Sequence, residues 1–241
     1  GFAGELDVPA RRFAKAQALQ GLDSFLRGAP FPWVNDPDAA IRADDKLHQL
    51  AVARRTGLAI PETLVTNDPA ELRRFHRDHG RLIAKSISGS HGLPASKRIL
   101  TNVVTKADLA DLDGLRHAPV CFQEYVPKAS ELRVTVIGGK AHAVRIHSQA
   151  QARTRDDWRR YGPALDYSVA RLPRAVERKC IAVAKELALD YGGIDLVERP
   201  DGRHVFLEIN TLPAWLWLED ATGHPITAAL ADHLESRLRR R

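Results

Sequence analysis

The feature that most restricts this chain lies near its C-terminus. Gly193-Ile194-Asp195-Leu196-Val197-Glu198 runs into Pro200-Asp201-Gly202, and Phe206-Leu207-Glu208-Ile209-Asn210 follows. Both runs have the apolar character of strands, and the Pro-Asp-Gly punctuation joins them as a hairpin. Buried strands do not tolerate unpaired carboxylates, because a charge taken out of water needs a partner. Alternation puts Glu208 and Asn210 on one face, and antiparallel pairing can bring Asp195 alongside them. Two carboxylates and an amide oxygen form a hard-oxygen cluster suited to Mg²⁺, which completes its shell with waters and phosphate oxygens. A plain hairpin with polar residues on its wet face is the alternative. The apolar neighbours Ile194, Leu196, Phe206, Leu207 and Ile209 argue against it.

The 241 residues allow a substantial core in one or two domains. With 44% hydrophobic and 27% charged residues, the composition is that of a globular protein. No window approaches ~18 consecutive apolar residues, so no membrane partner is expected, and no N-terminal segment resembles a secretory signal. Cys121 and Cys180 sit in apolar surroundings, as packing thiols of a reducing, cytoplasmic compartment do. The net charge of +6 favours anionic partners. Aromatic residues make up only 6% and no basic–aromatic stripe occurs, so nucleic acid is not expected among them. The chain starts at Gly1 and lacks methionine, the expectation for a processed product or a piece of something longer.

Helical spacing of apolar residues predicts helices over 5–28, 38–55, from about 68 onward, 172–189, and from 222 or 223 to 238. Strands are expected at 63–66, 82–85, 120–126, 132–137 and 141–146, with Gly138-Gly139 as a tight hairpin turn. The elements lack the rhythm of a parallel βαβ array. The expectation is an α+β chain with two subdomains.

Lys85 ends an apolar strand and precedes Ser86-Ile87-Ser88-Gly89-Ser90-His91-Gly92. A lysine there calls for an anion, and a loop of small residues such as Ser88 and Gly89 lets backbone N–H groups approach phosphate oxygens. It is not a Walker A loop, because the lysine comes before the glycines. Next, Cys121-Phe122-Gln123-Glu124-Tyr125-Val126-Pro127 is an apolar strand running into a break. A flat ligand could meet the exposed backbone there, with Glu131 positioned to hold ribose hydroxyls. An edge strand closed by Pro127 is the plainer reading.

As a set these residues resemble the ATP-grasp superfamily, over a span from about residue 30 to the C-terminus. The resemblance rests on Lys46 in Lys-Leu-His-Gln-Leu-Ala-Val-Ala, Gly57 and Pro61, Lys85 with its loop, Gln123-Glu124-Tyr125-Val126, Glu131-Leu132-Arg133-Val134, Arg145, Asp195 and Glu208-Ile209-Asn210. It implies an ATP-grasp fold, two α+β subdomains clamping ATP. Lys46 and Lys85 would hold the phosphates and residues 123–126 the adenine edge. Glu131 would bind ribose, and Asp195, Glu208 and Asn210 would carry one or two Mg²⁺ ions, for which Mn²⁺ could substitute. The implied division is a remnant N-terminal segment at 1–45, with a preceding domain truncated or missing, then 46–126 with a lid at about 67–126, then 127–241.

A narrower likeness, to peptide macrocyclases of the microviridin (graspetide) type, rests on five segments. These are Trp33-Val34-Asn35, Ile60 to Asn67, Val144 to Gln149, and Asp157 to Tyr161, together with Trp215-Leu216-Trp217. Two departures stand out: only about 45 residues precede Lys46, and Thr211-Leu212-Pro213-Ala214 replaces a more polar, glycine-containing turn. The likeness implies a ligase that activates a carboxylate as an acyl phosphate and joins it to a hydroxyl or amine of an acidic precursor peptide. Trp215 and Trp217 would wall the acceptor side. An amino-acid or polyglutamate-type ligase on another carboxylate substrate, and a nucleotide-binding regulatory module, are the competing readings; a homo-oligomer is compatible with all three. Arg145, read as lying in a strand beside the metal hairpin, is the first choice to stabilise the acyl phosphate, and Arg133 the second. His147 is a general-base candidate or a hydrogen-bonded structural histidine.

Overall fold

A computed structural model describes residues 7–87, 102–158 and 165–239. It opens with three helices, α1 (Val8–Gly28), α2 (Pro37–Ala43) and α3 (Lys46–Arg55). The single helix expected over 38–55 is thus two. Asp45 ends the first run by capping the second, its carboxylate accepting from the amides of Leu47 and His48. Strand β1 (Thr63–Thr66), helix α4 (Pro69–His79) and strand β2 (Leu82–Lys85) follow as expected, with Asp68 capping α4. Then come β3 (Asn102–Val103), α5 (Lys106–Ala110), β4 (Val120–Glu124), β5 (Ser130–Ile137) and β6 (Lys140–Ile146). Gly138 and Gly139, with φ of 53° and 81°, form the turn between β5 and β6, a conformation open to glycine. The remainder is β7 (Tyr167–Ala170), α6 (Arg174–Glu186), β8 (Tyr191–Glu198), β9 (His204–Asn210), α7 (Leu216–Thr222) and α8 (Ile226–Arg239). β3, α5, β7 and α7 are short and carry no strong periodicity, so sequence reading passes over them.

Two antiparallel sheets result. One has the order β1-β4-β2-β3 and the other β7-β6-β5-β8-β9. The smaller sheet buries Leu72, Leu82, Leu115 and Phe122 on its outer side, under α4. Its other side carries Thr63, Ile83, Lys85, Cys121 and Gln123, by the registers Thr63↔Gln123, Ile83↔Gln123 and Lys85↔Cys121.

The larger sheet also has two unlike faces. Leu132, Val134, Val136, Ala143, Ile194, Leu196, Phe206 and Ile209 bury one against α3 and α6, together with Val52, Cys180 and Val183. Cys121 and Cys180 are both buried free thiols, as expected. Glu131, Arg133, Asp195 and Glu208 occupy the other face. Beyond them, that face continues into Ile137, Val144 and Tyr191, packed on Leu218 of α7 and Ile226 of α8.

Strict alternation along β9 would place Phe206 beside Glu208. A bulge between the partners of Asp195 and Leu196 prevents this: Asp195 pairs with Glu208 and Leu196 with Phe206, leaving Leu207 extra. Phe206 therefore turns into the core at 0% exposure while Glu208 stays on the opposite face. Leu207 packs instead with Val126, Val197 and Val205.

Candidate nucleotide and metal site

The hairpin brings two of the three oxygen-bearing residues into direct register, Asp195 opposite Glu208, with Asn210 opposite Gly193 on the same face. The Asn210 amide N–H donates to the Gly193 carbonyl at 3.3 Å and reaches Asp195 Oδ2 at 3.5 Å. Each carboxylate also meets a cation. Arg133 Nη1 lies 2.7 Å from Asp195 Oδ1, and Lys46 Nζ lies 3.0 Å from Glu208 Oε2. Among the described residues no three His, Cys, Asp or Glu side chains converge for a metal. The donor set is therefore two carboxylates and an amide, all hard-oxygen donors, which fits Mg²⁺ and not a thiolate- or imidazole-seeking ion.

Lys46 reaches Glu208 because of a residue the sequence reading did not weigh. Gln49, one turn along α3 and 3% exposed, donates to the carbonyls of Ala43 (2.6 Å) and Ile209 (2.9 Å) and accepts from the Ile209 amide (3.0 Å). It pins α3 to the edge strand β9, so the first residue of α3 lies over the residue before Ile209. A buried glutamine at helical spacing from a lysine was the available signal.

Gly193 is held as closely. A Cβ there would stand 2.6 Å from Pro213 Cβ and 3.3 Å from Arg133 Cζ. Only glycine lets the guanidinium and the proline loop close on the strand.

Across the cleft stands the inner side of the smaller sheet. Lys85, Gln123, Glu124, Tyr125, Val126 and Glu131 line the same cavity as Asp195 and Glu208. Lys85 and Lys46 converge near Cys121: burial pushes its thiol up, and these two ammonium groups act against that shift. Ile83, Val126, Ile146, Val197 and Leu207 give the cavity an apolar slot. The amides of Glu124 and Tyr125 are spent on the carbonyls of Glu62 (3.0 Å) and Arg81 (2.8 Å). Ser88 and Gly89 lie outside the described residues, as does the rest of the 88–92 loop.

Two lining residues, Lys128 and Asp156, escaped the sequence reading, and a third, Trp158, entered it only within the 157–161 segment of the macrocyclase likeness. Lys128 is ion-paired to Glu131 and donates to the Asp156 carbonyl at 2.9 Å. Asp156 takes Arg81 at 3.0 and 3.1 Å, and the Arg81 guanidinium stacks 3.8 Å from the Tyr125 ring centre. Trp158 lines the cavity and stacks on Trp217 with centroids 5.1 Å apart. Trp217 thus meets the site through Trp158. Trp215 instead packs edge-on against Tyr191 and donates its indole N–H to Thr227.

The structure corrects the expectation that Arg145 lies beside the metal hairpin. β5 separates β6 from β8, and Arg145 pairs in register with Leu132, one residue off Arg133, so it faces the opposite side of the sheet from Asp195. There it bonds Ser130 and Glu198. Its hydrogen bond is the main reason the Glu198 carboxyl lies below its ordinary range, against the opposing effect of burial. A depressed carboxylate stabilises the fold above its unfolded value, and the contribution disappears as pH falls through the folded value. Arg145→Met should therefore cost at most about 1 kcal/mol at neutral pH, the pair being partly exposed, and less in acid as Glu198 is protonated. Urea unfolding at neutral pH and along a series of falling pH measures this; a cost that does not fall with pH would refute the ion-pair role. His147 has its ring nitrogen 3.0 Å from Ser168 Oγ, the structural alternative for that residue.

Two antiparallel sheets closing on a cleft, with lysines on both sides and paired acidic oxygens at one end, define an ATP-grasp fold. The chain belongs to the RimK-like ATP-grasp domain family, which matches residues 43–234. It is similar to a Chryseobacterium gregarium RiPP-associated ATP-grasp ligase solved with ADP and a leader and core peptide. The TM-score is 0.87 at 31% identity, over 96% of this chain and 71% of that one. It is also similar to the macrocyclase MdnC of Microcystis aeruginosa MRC, bound to the precursor peptide MdnA, with a TM-score of 0.86 at 30% identity over 98% and 74% of the two chains. A probable alpha-L-glutamate ligase of Marinomonas sp. (strain MWYL1) is 27% identical over 206 residues, covering 84% of this chain. The chain spans 66% of that relative's length.

Proposed function

We propose that this protein is an ATP- and Mg²⁺-dependent ligase that activates a carboxylate as an acyl phosphate and joins it to a hydroxyl or amine, cyclising side chains of an acidic precursor peptide. The observation that carries the reading is the Asp195–Glu208 pair facing the same cavity as Lys85 and residues 123–126. In the first step a substrate carboxylate oxygen bonds the γ-phosphorus of ATP and ADP leaves. In the second a hydroxyl or amine attacks the acyl carbon, inorganic phosphate departs, and the nucleophile loses its proton. Each ring closed removes one water from the peptide.

The chain's own residues supply position and charge. Lys46 and Lys85 hold phosphates, with Ser88 and Gly89 assigned to the same task from sequence. Gln123, Glu124, Tyr125 and Val126 meet the base, and Glu131 the ribose. Asp195, Glu208 and Asn210 would hold Mg²⁺, which when bound offsets charge that builds on the transferring phosphoryl group. Arg133 takes the acyl-phosphate role first given to Arg145, because it alone of the two shares a face with Asp195. The peptide reading is supported by the likeness to two peptide-bound ligases, and a net charge of +6 suits an acidic peptide.

A second reading, addition of glutamate to a carboxylate, is favoured by the likeness to a probable alpha-L-glutamate ligase. Intact-mass analysis separates them. With ATP, Mg²⁺ and a precursor rich in Asp/Glu and Thr/Lys, loss of one water per event with matching ADP release is expected. Gain of glutamate units when free glutamate is supplied would move the assignment to the second reading.

A further inference from the structure

Among the described residues, Lys128 and Glu131 form the most buried ion pair, their side chains 8% and 7% exposed. Glu131 Oε1 is taken by Lys128, whereas Glu131 Oε2 is buried without a hydrogen-bond partner. Both residues line the nucleotide cavity. A carboxylate oxygen left without a donor in a dry site is costly, and such an atom in a cavity wall awaits a ligand hydroxyl. The lysine ammonium has three protons. One goes to Glu131 and one to the Asp156 carbonyl at 2.9 Å, so a third is available to a ligand oxygen. Asp156 is in turn tied to Arg81, the residue before β2, and Arg81 lies over Tyr125. Lys128 therefore stands between the residue assigned to ribose and the segment that joins the two sheets at the base end of the cleft.

We propose that Lys128 is a positioning residue for ribose. By occupying Oε1 it fixes the Glu131 carboxylate so that Oε2 alone points to the ligand, and its remaining proton supplies a donor beside that acceptor. A vicinal diol, whose two hydroxyls can donate and accept together, matches this pair; a deoxyribose offers only half of it. Lys128 thus sets the preference for a ribonucleotide over its deoxy counterpart. The inference rests on the nucleotide reading above.

The test is equilibrium binding, which needs no turnover. Calorimetry with Mg²⁺ and ATP, 2′-deoxy-ATP or 3′-deoxy-ATP should give the wild type about a tenfold preference for ATP. In Lys128→Met the ATP affinity should fall to the deoxynucleotide level while the deoxynucleotides change little, so the ratio approaches one. Glu131→Gln should collapse the same ratio, and the double variant should be no worse than either single one. Lys128→Arg, which keeps the charge, should retain part of the preference and serves if the methionine variant does not fold. Parallel weakening of all three nucleotides in Lys128→Met would mark a merely structural lysine and overturn the proposal. So would a wild type that binds ATP and both deoxynucleotides equally, and that result would leave the nucleotide site standing. A protein that binds none of the three overturns the site assignment itself.

Discussion

Glu208→Gln is expected to lower ATP-dependent turnover by roughly 10³-fold, the scale seen when a preorganised electrostatic contact to a reacting group is lost. The substitution keeps the shape of the side chain and removes its charge. In the structure that charge faces Lys46 at 3.0 Å and sits directly opposite Asp195, and on the proposed function it would balance metal, phosphate and lysine. The fold should survive, because Glu208 lies on the cleft face and Lys46 is one-third exposed and can hydrate when its partner turns neutral. Single-turnover ADP release measures the first expectation and thermal unfolding the second. Near wild-type release from a folded variant would remove Glu208 from the site.

Phe206→Ala is expected to have the largest effect on stability, about 3–5 kcal/mol by urea denaturation, as is usual when a fully buried phenylalanine is cut back. Phe206 is 0% exposed and packs with Leu196, Ile194 and Ile209 beneath α3 and α6. Leu207→Ala should cost only about 1 kcal/mol, because Leu207 is half-buried against Val197 and Val205 on the cleft side. This order is the reverse of what an unbroken strand period would give, in which Leu207 joins Ile209 in the core and Phe206 joins Glu208. A greater loss from Leu207→Ala would mean that the bulge is misplaced and, with it, the register that sets Glu208 against Asp195.

Both effects depend on the hairpin, the part of the chain most legible without a structure. Acidic residues inside apolar strands with a Pro-Asp-Gly turn between them leave few arrangements, because a buried carboxylate must be compensated. Lys85 at a strand end before a loop of small residues was legible for the same reason. So were the capped starts of α4 and the glycine turn between β5 and β6, where local chemistry acts over a few residues.

Other features depend on atoms far apart in the chain. Arg145 and Arg133 are alike as strand arginines, and only the register of three strands puts one on the site face and the other against Glu198. Lys128 and Asp156 carry no local signal, and Gln49 carries only its helical spacing from Lys46. Each matters through a contact made when α3 docks on β9, or when the segment at 156–158 approaches Arg81 and Tyr125. Residue order was enough to mark which side chains needed a compensating partner, since burial of a charge is a local cost. Tertiary structure alone decided which partners they found, because a one-residue change of register moves a side chain to the other face of a sheet.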